Sequence, residues 1–293
     1  MQAKTVSVII PTKGRGPLFL NTLRSIGNQS VLVDEVIVVD QTPDRLDDLL
    51  LAGVFEVSSA SPKLIYCHAP WLSGLTAARN FGVKQARGKI IQFLDDDVVL
   101  EKEYFLRLLQ EFNNVDVGGV AGLVIEPNRK ASFLKKTFFR LFFIGPFRQI
   151  REEVYLYPLA ASIKTNTLPG VSAYRRNVFE LFHFDEQLVG PCMGEDLDFS
   201  YRVGKSWKLI IQPNAHIYHF PSTTARCGER QSVADKVYFY YYHFSKNFQK
   251  TTSAWLMFFW LNVGFAMHSL TLLNLSAILG VYDGWRKILQ KRH

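Results

Sequence analysis

The sequence is poor in cysteine and lacks the patterns of a metal-stapled or disulfide-bonded protein. Its three cysteines, Cys67, Cys192 and Cys227, lie far apart and form no Cys-x-x-Cys pair. This spacing predicts neither a zinc site nor a disulfide framework, and it indicates a reducing compartment. An apolar strand pattern begins at Val6, which leaves no room for a signal peptide, so we expect none.

Charged residues are missing from one long stretch, residues 251–282, which contains no Asp, Glu, Lys or Arg. Within it, Trp255–Leu273 is mostly apolar and long enough for a membrane span of roughly 20 residues. Polar residues such as Asn262 weaken a span, and a pair of buried helices broken at Asn274 or Gly280 is the alternative. With lysines and arginines on both flanks, we expect association with the cytoplasmic face of the membrane, as a single span or a surface helix.

The composition excludes a disordered chain, because 48% of the residues are hydrophobic and 14% are aromatic. A net charge of +8 suits a nucleic acid, a membrane surface or an anionic small substrate equally well. Lysines and arginines are scattered along the chain, and no helix-turn-helix or zinc pattern appears, so we expect no nucleic-acid partner.

Strand and helix patterns alternate through the first hundred residues. This rhythm predicts an α/β protein with a mainly parallel sheet and helices on both faces. The predicted strands are Val6–Ile10, Glu35–Val39, Lys63–Cys67 and Lys89–Leu94, and the predicted helices are Leu18–Asn28, Asp44–Leu51 and Leu75–Ala86.

The later chain is less regular. We predict a turn leading into a helix at Gly170–Phe179 and a helix at Gly194–Val203 with acidic residues in its first turn. Ser132–Phe147 mixes Phe and Leu with Lys and Arg, which is typical either of an interfacial amphipathic helix or of a helix packed in a core.

Three consecutive aspartates, Asp95, Asp96 and Asp97, end the apolar run Ile90–Leu94. Carboxylates beside a buried strand are costly unless a cation meets them, so this pattern indicates Mg²⁺ or Mn²⁺ bridging to phosphate oxygens. Pro11-Thr12 and Asp40 also follow predicted strands, and parallel strands collect ligands at their carboxyl ends. We therefore expect one shared crevice, with a second acidic cluster at Gly194–Asp198.

Five motifs follow one another along the chain: Val8–Arg15, Val38–Asp44, Gly74–Gly82, Phe93–Asp97 and Gly194–Asp196. In this order they resemble the inverting glycosyltransferases of family 2, which have the GT-A fold, and in particular the bacterial rhamnosyltransferase-like, cell-surface polysaccharide type. The resemblance covers about residues 6–220.

The resemblance implies a nucleotide site and a metal site. Asp40 would accept hydrogen bonds from the nucleobase, Arg79 would lie near the diphosphate, and Asp95 would hold the ribose or a metal-bound water. Asp97 would bind Mn²⁺ or Mg²⁺ directly, and His219 would be a further metal ligand, with His216 as its rival. The remaining nucleotide-binding residues implied are Pro11, Thr12 and Asp96.

The resemblance also implies a catalytic pair. Asp196 would be the general base that takes the proton of the acceptor hydroxyl, and Glu195 would orient the acceptor or the base. Gly170 and Val171 would face the donor sugar and the acceptor. Asp198 points another way on the predicted helix, so we expect a solvated or structural carboxylate there, in reach of Arg202 one turn later.

The resemblance implies a metal-dependent inverting glycosyltransferase. The Gln-x-x-Arg-Trp motif of processive synthases is absent, which indicates transfer of a single sugar. The donor would be linked to UDP, dTDP or GDP, and the acceptor would be a saccharide or lipid-linked. We expect a catalytic domain at 1–230, with its nucleotide-binding half at about 1–100 and its acceptor half at about 101–230, and a C-terminal aromatic, hydrophobic helical segment at 231–293.

Two alternatives remain open from the residues alone. Phe93–Val99 also resembles the nucleophile motif of haloacid-dehalogenase-like phosphatases, in which Asp95 would attack phosphate. That motif normally follows the first strand, whereas here it follows the fourth predicted strand. The second alternative is a degenerate transferase fold serving as a non-catalytic membrane partner subunit.

Overall fold

The computed structural model describes residues 4–15, 19–46, 54–55, 61–126, 133–151, 161–188, 194–220, 228–271 and 274–290. The predicted helix at Asp44–Leu51 lies largely outside these ranges. In chain order the elements are β1 (Val6–Thr12), α1 (Leu20–Gly27), β2 (Glu35–Asp40), β3 (Lys63–His68), α2 (Leu75–Gln85), β4 (Ile90–Phe93), β5 (Val98–Leu100), α3 (Tyr104–Glu111), β6 (Val117–Ile125), α4 (Phe133–Phe142), β7 (Ile163–Thr165), β8 (Ser172–Arg175), α5 (Glu195–Gly204), β9 (Lys208–His219), α6 (Glu229–Asn247), α7 (Thr252–Thr271) and α8 (Leu275–Gln290), with short 3₁₀ helices at Gly145–Phe147 and Arg176–Glu180.

The first part of the sheet is parallel, as predicted. Strands β3, β2, β1 and β4 are neighbours in that order, and each adjacent pair runs parallel. Thr12 lies opposite Asp40 in the register of β1 and β2. The residues that follow β1, β2 and β4 therefore meet at one edge of the sheet.

Helices cover both faces of β1. Val8 and Ile10 share a hydrophobic core with Leu23 of α1, whereas Ile9 points to the opposite face, as alternation along a strand requires. On that face α2 packs so closely that a Cβ at Gly82 would lie 2.5 Å from Ile9 Cγ2. The alternating apolar residues of β1 thus pack between two helical layers.

The sheet continues with mixed pairing, in the order β4, β8, β6, β9 and β5, and β7 pairs with β9. Strand β8 is antiparallel to both β4 and β6. The helix predicted within Gly170–Phe179 is therefore wrong for Ser172–Arg175. Ala173 and Tyr174 are buried in the middle of the sheet, and this burial stabilises a strand that four residues do not specify by themselves.

The chain forms two compact units, which we call the sheet unit (residues 1–129 and 158–222) and the helical unit (residues 130–157 and 223–293). This division differs from the predicted boundary at 230, because residues 130–157 belong with the C-terminal helices. Phe142, Phe143 and Phe147 share a buried cluster with Phe244 and Phe258. The core packing that was one alternative for Ser132–Phe147 is therefore present for these three phenylalanines, whereas Leu141 and Ile144 of the same segment are exposed.

The C-terminal aromatic stretch folds as two helices. Helix α7 ends at Thr271 and α8 begins at Leu275, where the Asn274 side chain accepts a hydrogen bond from the Ala277 amide. The break lies at Asn274, and Gly280 lies inside α8. The sequence left a single span across residues 251–282 as one alternative; within the described ranges, no helix has both the length and the apolarity that crossing a bilayer requires.

The aromatic cluster of the helical unit predicts a large effect of shortening Phe258. This ring is fully buried and stacks on Phe244 at 5.8 Å between centroids. We expect Phe258→Ala to lower the free energy of unfolding by about 3–5 kcal/mol, because the cavity left behind cannot be filled. Phe259→Ala is the matched control, since Phe259 is 49% exposed. Equal losses for the two variants in urea denaturation would contradict the assignment of this core.

Candidate active site

The aspartate triplet meets a histidine through strand pairing. Asp95, Asp96 and Asp97 lie between β4 and β5, and β5 pairs antiparallel with β9 so that Val98 is opposite His219. This register places His219 Nε2 3.2 Å from Asp97 Oδ1. The predicted neighbourhood of Asp97 and His219 is thus present, although 122 positions separate them in the numbering.

Asp95, Asp97 and His219 each offer one ligand atom, and these atoms all lie within 4.8 Å of one another. Two carboxylate oxygens and an imidazole nitrogen suit a divalent ion of the Mn²⁺ type. The rival His216 instead pairs with Glu101, at 2.9 Å between Nδ1 and Oε2. The hydrogen bond with Asp97 raises the pKa of His219 above its ordinary value, even though burial opposes this.

Asp96 is bound to the loop that follows β1. It accepts a hydrogen bond from Thr12 Oγ1 at 2.7 Å, and Arg15 Nε lies 3.2 Å from its other oxygen. Arg15 also reaches Asp97, at 3.5 Å. Burial raises the pKa of Asp96 to about 6, against the opposing effects of Thr12 and Arg15. No role for Arg15 was predicted; the glycine before it was the signal that the sequence offered for a tight turn at the strand end, and Gly14 has φ +67°.

Asp40 is fully buried at the end of β2 and organises its own loop. One oxygen accepts the Thr42 amide at 2.8 Å, and the other accepts the Tyr66 hydroxyl at 2.6 Å. Burial, together with the hydrogen bond to Asp40, raises the pKa of Tyr66 to about 12. Tyr66 was missed from the sequence, because its contact depends on β3 pairing with β2. Pro11 lies one residue before Thr12, at the Val39 level of β2.

Arg79 is a buried residue, only 1% exposed, rather than a surface arginine of α2. Its Nη1 lies 2.9 Å from Glu195 Oε1 and its Nη2 lies 3.5 Å from Asp95 Oδ1. The rings of Phe93 and Phe184 lie 5.8 and 5.2 Å from the guanidinium carbon. Burial acts to lower the pKa of Arg79, but the surrounding carboxylates outweigh it and raise this pKa.

Gly170 lies against this arginine. A Cβ at Gly170 would come within 2.8 Å of Arg79 Nη2, so the backbone approaches the guanidinium as closely as it can. The neighbouring Val171 side chain belongs to the hydrophobic core. Of this predicted pair, Gly170 is the residue in contact with the charged cluster.

The first turn of α5 carries Glu195 and Asp196, a favourable position for carboxylates at a helix N-terminus. Burial and the adjacent Asp196 raise the pKa of Glu195 to about 7, although Arg79 acts in the opposite direction. Asp196 is half-buried and accepts the Leu197 amide at 2.8 Å. Asp198 is fully buried rather than solvated, and its predicted pairing with Arg202 is confirmed at 3.0 Å.

Within the sheet unit, Arg79 connects the carboxylate pair of α5, through Glu195, to the Asp95–Asp97–His219 cluster, through Asp95. A family model for glycosyl transferase family 2 matches residues 7–182. The chain belongs to this family. The transferase activity that the sequence resemblance implied is confirmed by this match.

Three proteins of Bacillus subtilis (strain 168) are similar in sequence to this chain, and two of them are named as glycosyltransferases. The uncharacterized glycosyltransferase YwdF is 25% identical over 234 residues, which cover 78% of this chain and 77% of YwdF. The uncharacterized glycosyltransferase EpsJ is 33% identical over 117 residues, 39% of this chain and only 33% of EpsJ. The minor teichoic acid biosynthesis protein GgaB is 29% identical over 118 residues, 38% of this chain and 13% of GgaB.

Solved structures show the same fold. Residues 1–349 of S. aureus TarS match with a TM-score of 0.54 and 18% identity, over 97% of this chain and 91% of that structure. GalNAc-T7, crystallised with UDP, GalNAc and Mn²⁺, matches with a TM-score of 0.59 and 18% identity, over 81% of this chain and 50% of that structure. The predicted GT-A fold is thereby confirmed.

The buried ion pair of Arg79 and Glu195 predicts that removing the Glu195 carboxylate destabilises the fold more than removing an exposed carboxylate does. We expect Glu195→Ala to lower the free energy of unfolding by about 3–5 kcal/mol, because it removes the nearest carboxylate from a buried guanidinium. Glu186→Ala is the matched control, since Glu186 is exposed and bonds the Asn80 side chain at 2.8 Å. We expect the control to lose no more than about 1 kcal/mol. Similar losses for both, measured by urea denaturation, would show that Arg79 does not depend on Glu195.

Proposed function

We propose that this glycosyltransferase moves a single sugar from a nucleotide-sugar donor to a saccharide or lipid-linked acceptor with inversion, and that Asp196 is the general base. One observation carries the proposal. Arg79 links Glu195, the neighbour of Asp196, to Asp95 of the Asp95–Asp97–His219 cluster. This link supports placing the carboxylate pair and the proposed metal site in one active site.

In the proposed reaction, an Asp196 oxygen accepts the proton of the acceptor hydroxyl while that oxygen attacks the anomeric carbon. The bond from the anomeric carbon to the diphosphate breaks, and its electron pair leaves with the nucleoside diphosphate. Asp97, His219 and Asp95 would hold Mn²⁺ or Mg²⁺, which supplies neutralisation of the charge on this leaving group. Glu195, fixed by Arg79, holds the first turn of α5 and with it the base in position.

The donor would lie along the ends of β1, β2 and β4. Pro11, Thr12 and Asp40 are close enough to form the nucleoside pocket, and Arg15, which contacts Asp96, adds a guanidinium suited to the diphosphate. A UDP-, dTDP- or GDP-linked sugar remains the proposed donor. The relative named for minor teichoic acid biosynthesis supports a polymer of the teichoic acid type as the acceptor class. We propose the cytoplasmic face of the membrane as the place of synthesis, on the basic residues that flank the uncharged stretch 251–282.

The alternatives weighed from the sequence receive less support. Family membership argues against the phosphatase, and Asp95 is held by Arg79 in an ion pair rather than presented as a lone nucleophile. A non-catalytic subunit would have no need of the Asp95–Asp97–His219 grouping beside the carboxylates of α5.

The proposed metal site predicts metal-dependent nucleotide binding. Titration of UDP, GDP and dTDP by calorimetry should show that one of them binds more tightly with Mn²⁺ than without it. We expect Asp97→Ala to remove most of this gain, because it deletes a direct ligand. Asp116→Ala is the control, since Asp116 is exposed and pairs with Lys208 at 2.6 Å. If nucleotide affinity changes neither on addition of Mn²⁺ nor with the Asp97 substitution, the proposed metal dependence is wrong.

The proposed base predicts a separation of binding from catalysis. Asp196→Asn keeps the shape of the side chain but cannot accept the proton, so we expect the transfer rate to fall by about 10²–10⁴-fold. Donor affinity should change little. Asp116→Asn serves as the control with normal transfer. Transfer at the normal rate by the Asp196 variant, measured as release of nucleoside diphosphate with acceptor present, would refute its assignment as the base.

A further inference from the structure

Helix α7 is apolar on two opposite faces. One face, which includes Ala254, Phe258 and Leu261, is buried in the aromatic cluster of the helical unit. The other face is 38–65% exposed, and its members recur at helical spacing of three and four residues. This exposed face consists of Leu256, Phe259, Trp260, Val263, Met267 and Leu270.

The exposed face extends beyond α7. Trp260 Nε1 donates a hydrogen bond to the Leu141 carbonyl at 2.8 Å, which brings the end of α4 next to it. Leu141 and Ile144 are themselves 49% and 36% exposed. We call the six exposed residues of α7, together with Leu141 and Ile144, the apolar patch. Contiguous exposed patches of this kind are typical of sites that bind another surface.

Positive charge is concentrated in the same unit. Residues 130–157 and 223–293 contain 15 lysines and arginines but only 5 aspartates and glutamates, a net charge of +10. The whole chain carries +8, so the residues of the sheet unit sum to −2. An apolar patch on a strongly basic unit matches an anionic apolar surface, which is what a bilayer with acidic lipids offers.

A small basic cavity lies beside the patch. Its volume is about 340 Å³, and Arg140, Arg148, Phe139, Phe143 and Ile144 are among its lining residues. Two guanidinium groups next to aromatic rings suit a phosphate group attached to an apolar chain. Ile144 belongs both to this cavity and to the apolar patch, so the two features are continuous.

We propose that the apolar patch lies on the surface of an anionic bilayer, with a lipid phosphate held between Arg140 and Arg148. The patch would enter the interface between headgroups and acyl chains, and the basic residues of the helical unit would meet the acidic headgroups. A second copy of the chain is a poorer occupant, because docking two patches would bring together two units of net charge +10.

The test is flotation of the full-length protein with vesicles of phosphatidylcholine, with and without phosphatidylglycerol. We expect binding to the vesicles that contain phosphatidylglycerol, weakened by high salt. Leu256→Glu should weaken it by about tenfold or more, because a carboxylate must be taken into the interface. Leu181→Glu is the matched control, since Leu181 is 74% exposed but belongs to the sheet unit, and it should bind as the unaltered protein does.

A second pair of variants separates the two parts of the proposal. Arg140→Gln combined with Arg148→Gln should reduce the preference for phosphatidylglycerol by about tenfold while leaving the patch intact. Circular dichroism checks the fold, and Leu270→Glu replaces Leu256→Glu if the latter does not fold. No flotation with either vesicle, or equal flotation of the Leu256 and Leu181 variants, would overturn the proposal. A dimer that Leu256→Glu dissociates, without vesicle binding, would assign the patch to a second copy.

Discussion

The sheet unit depends on one buried cation. Arg79 is almost completely withdrawn from water, and a guanidinium in such a place is tolerated only when carboxylates and hydrogen-bond acceptors surround it. Glu195 and Asp95 fill that role, so α2, the end of β4 and the start of α5 are held together by one side chain. Gly170 is part of the same constraint, because any side chain there would collide with the guanidinium.

Burial also affects the ionisation of the carboxylates around Arg79. Burial raises the pKa of Asp95, Asp96 and Glu195, and repulsion from neighbouring carboxylates raises it further. Cationic groups must offset this cost, and Arg15 does so at the aspartates while Arg79 does so at α5. A divalent ion among Asp95, Asp97 and His219 would offset it further.

The sequence predicted what local patterns determine. The aspartates at the end of β4 and the acidic first turn of α5 follow from apolar runs that stop at charged residues, and the alternation of strands and helices predicted the parallel part of the sheet. Contacts between segments far apart in the sequence could not be predicted from local patterns. Strand β8 is stabilised by β4 and β6 rather than by its own four residues, and α4 joins the helical unit through aromatic packing.

The net charge of the whole chain does not show that the two units carry charges of opposite sign. A net charge of +8 suited a nucleic acid, a membrane surface and an anionic substrate equally well as partners. The formal charges of the sheet unit nevertheless sum to −2. A nucleoside diphosphate is therefore not drawn to this unit by long-range attraction. In the proposed function, its recognition would come from short-range groups, such as the Arg15 guanidinium and a cation held by the aspartates. The position of that cation would depend in turn on the buried Arg79, which pairs with Asp95.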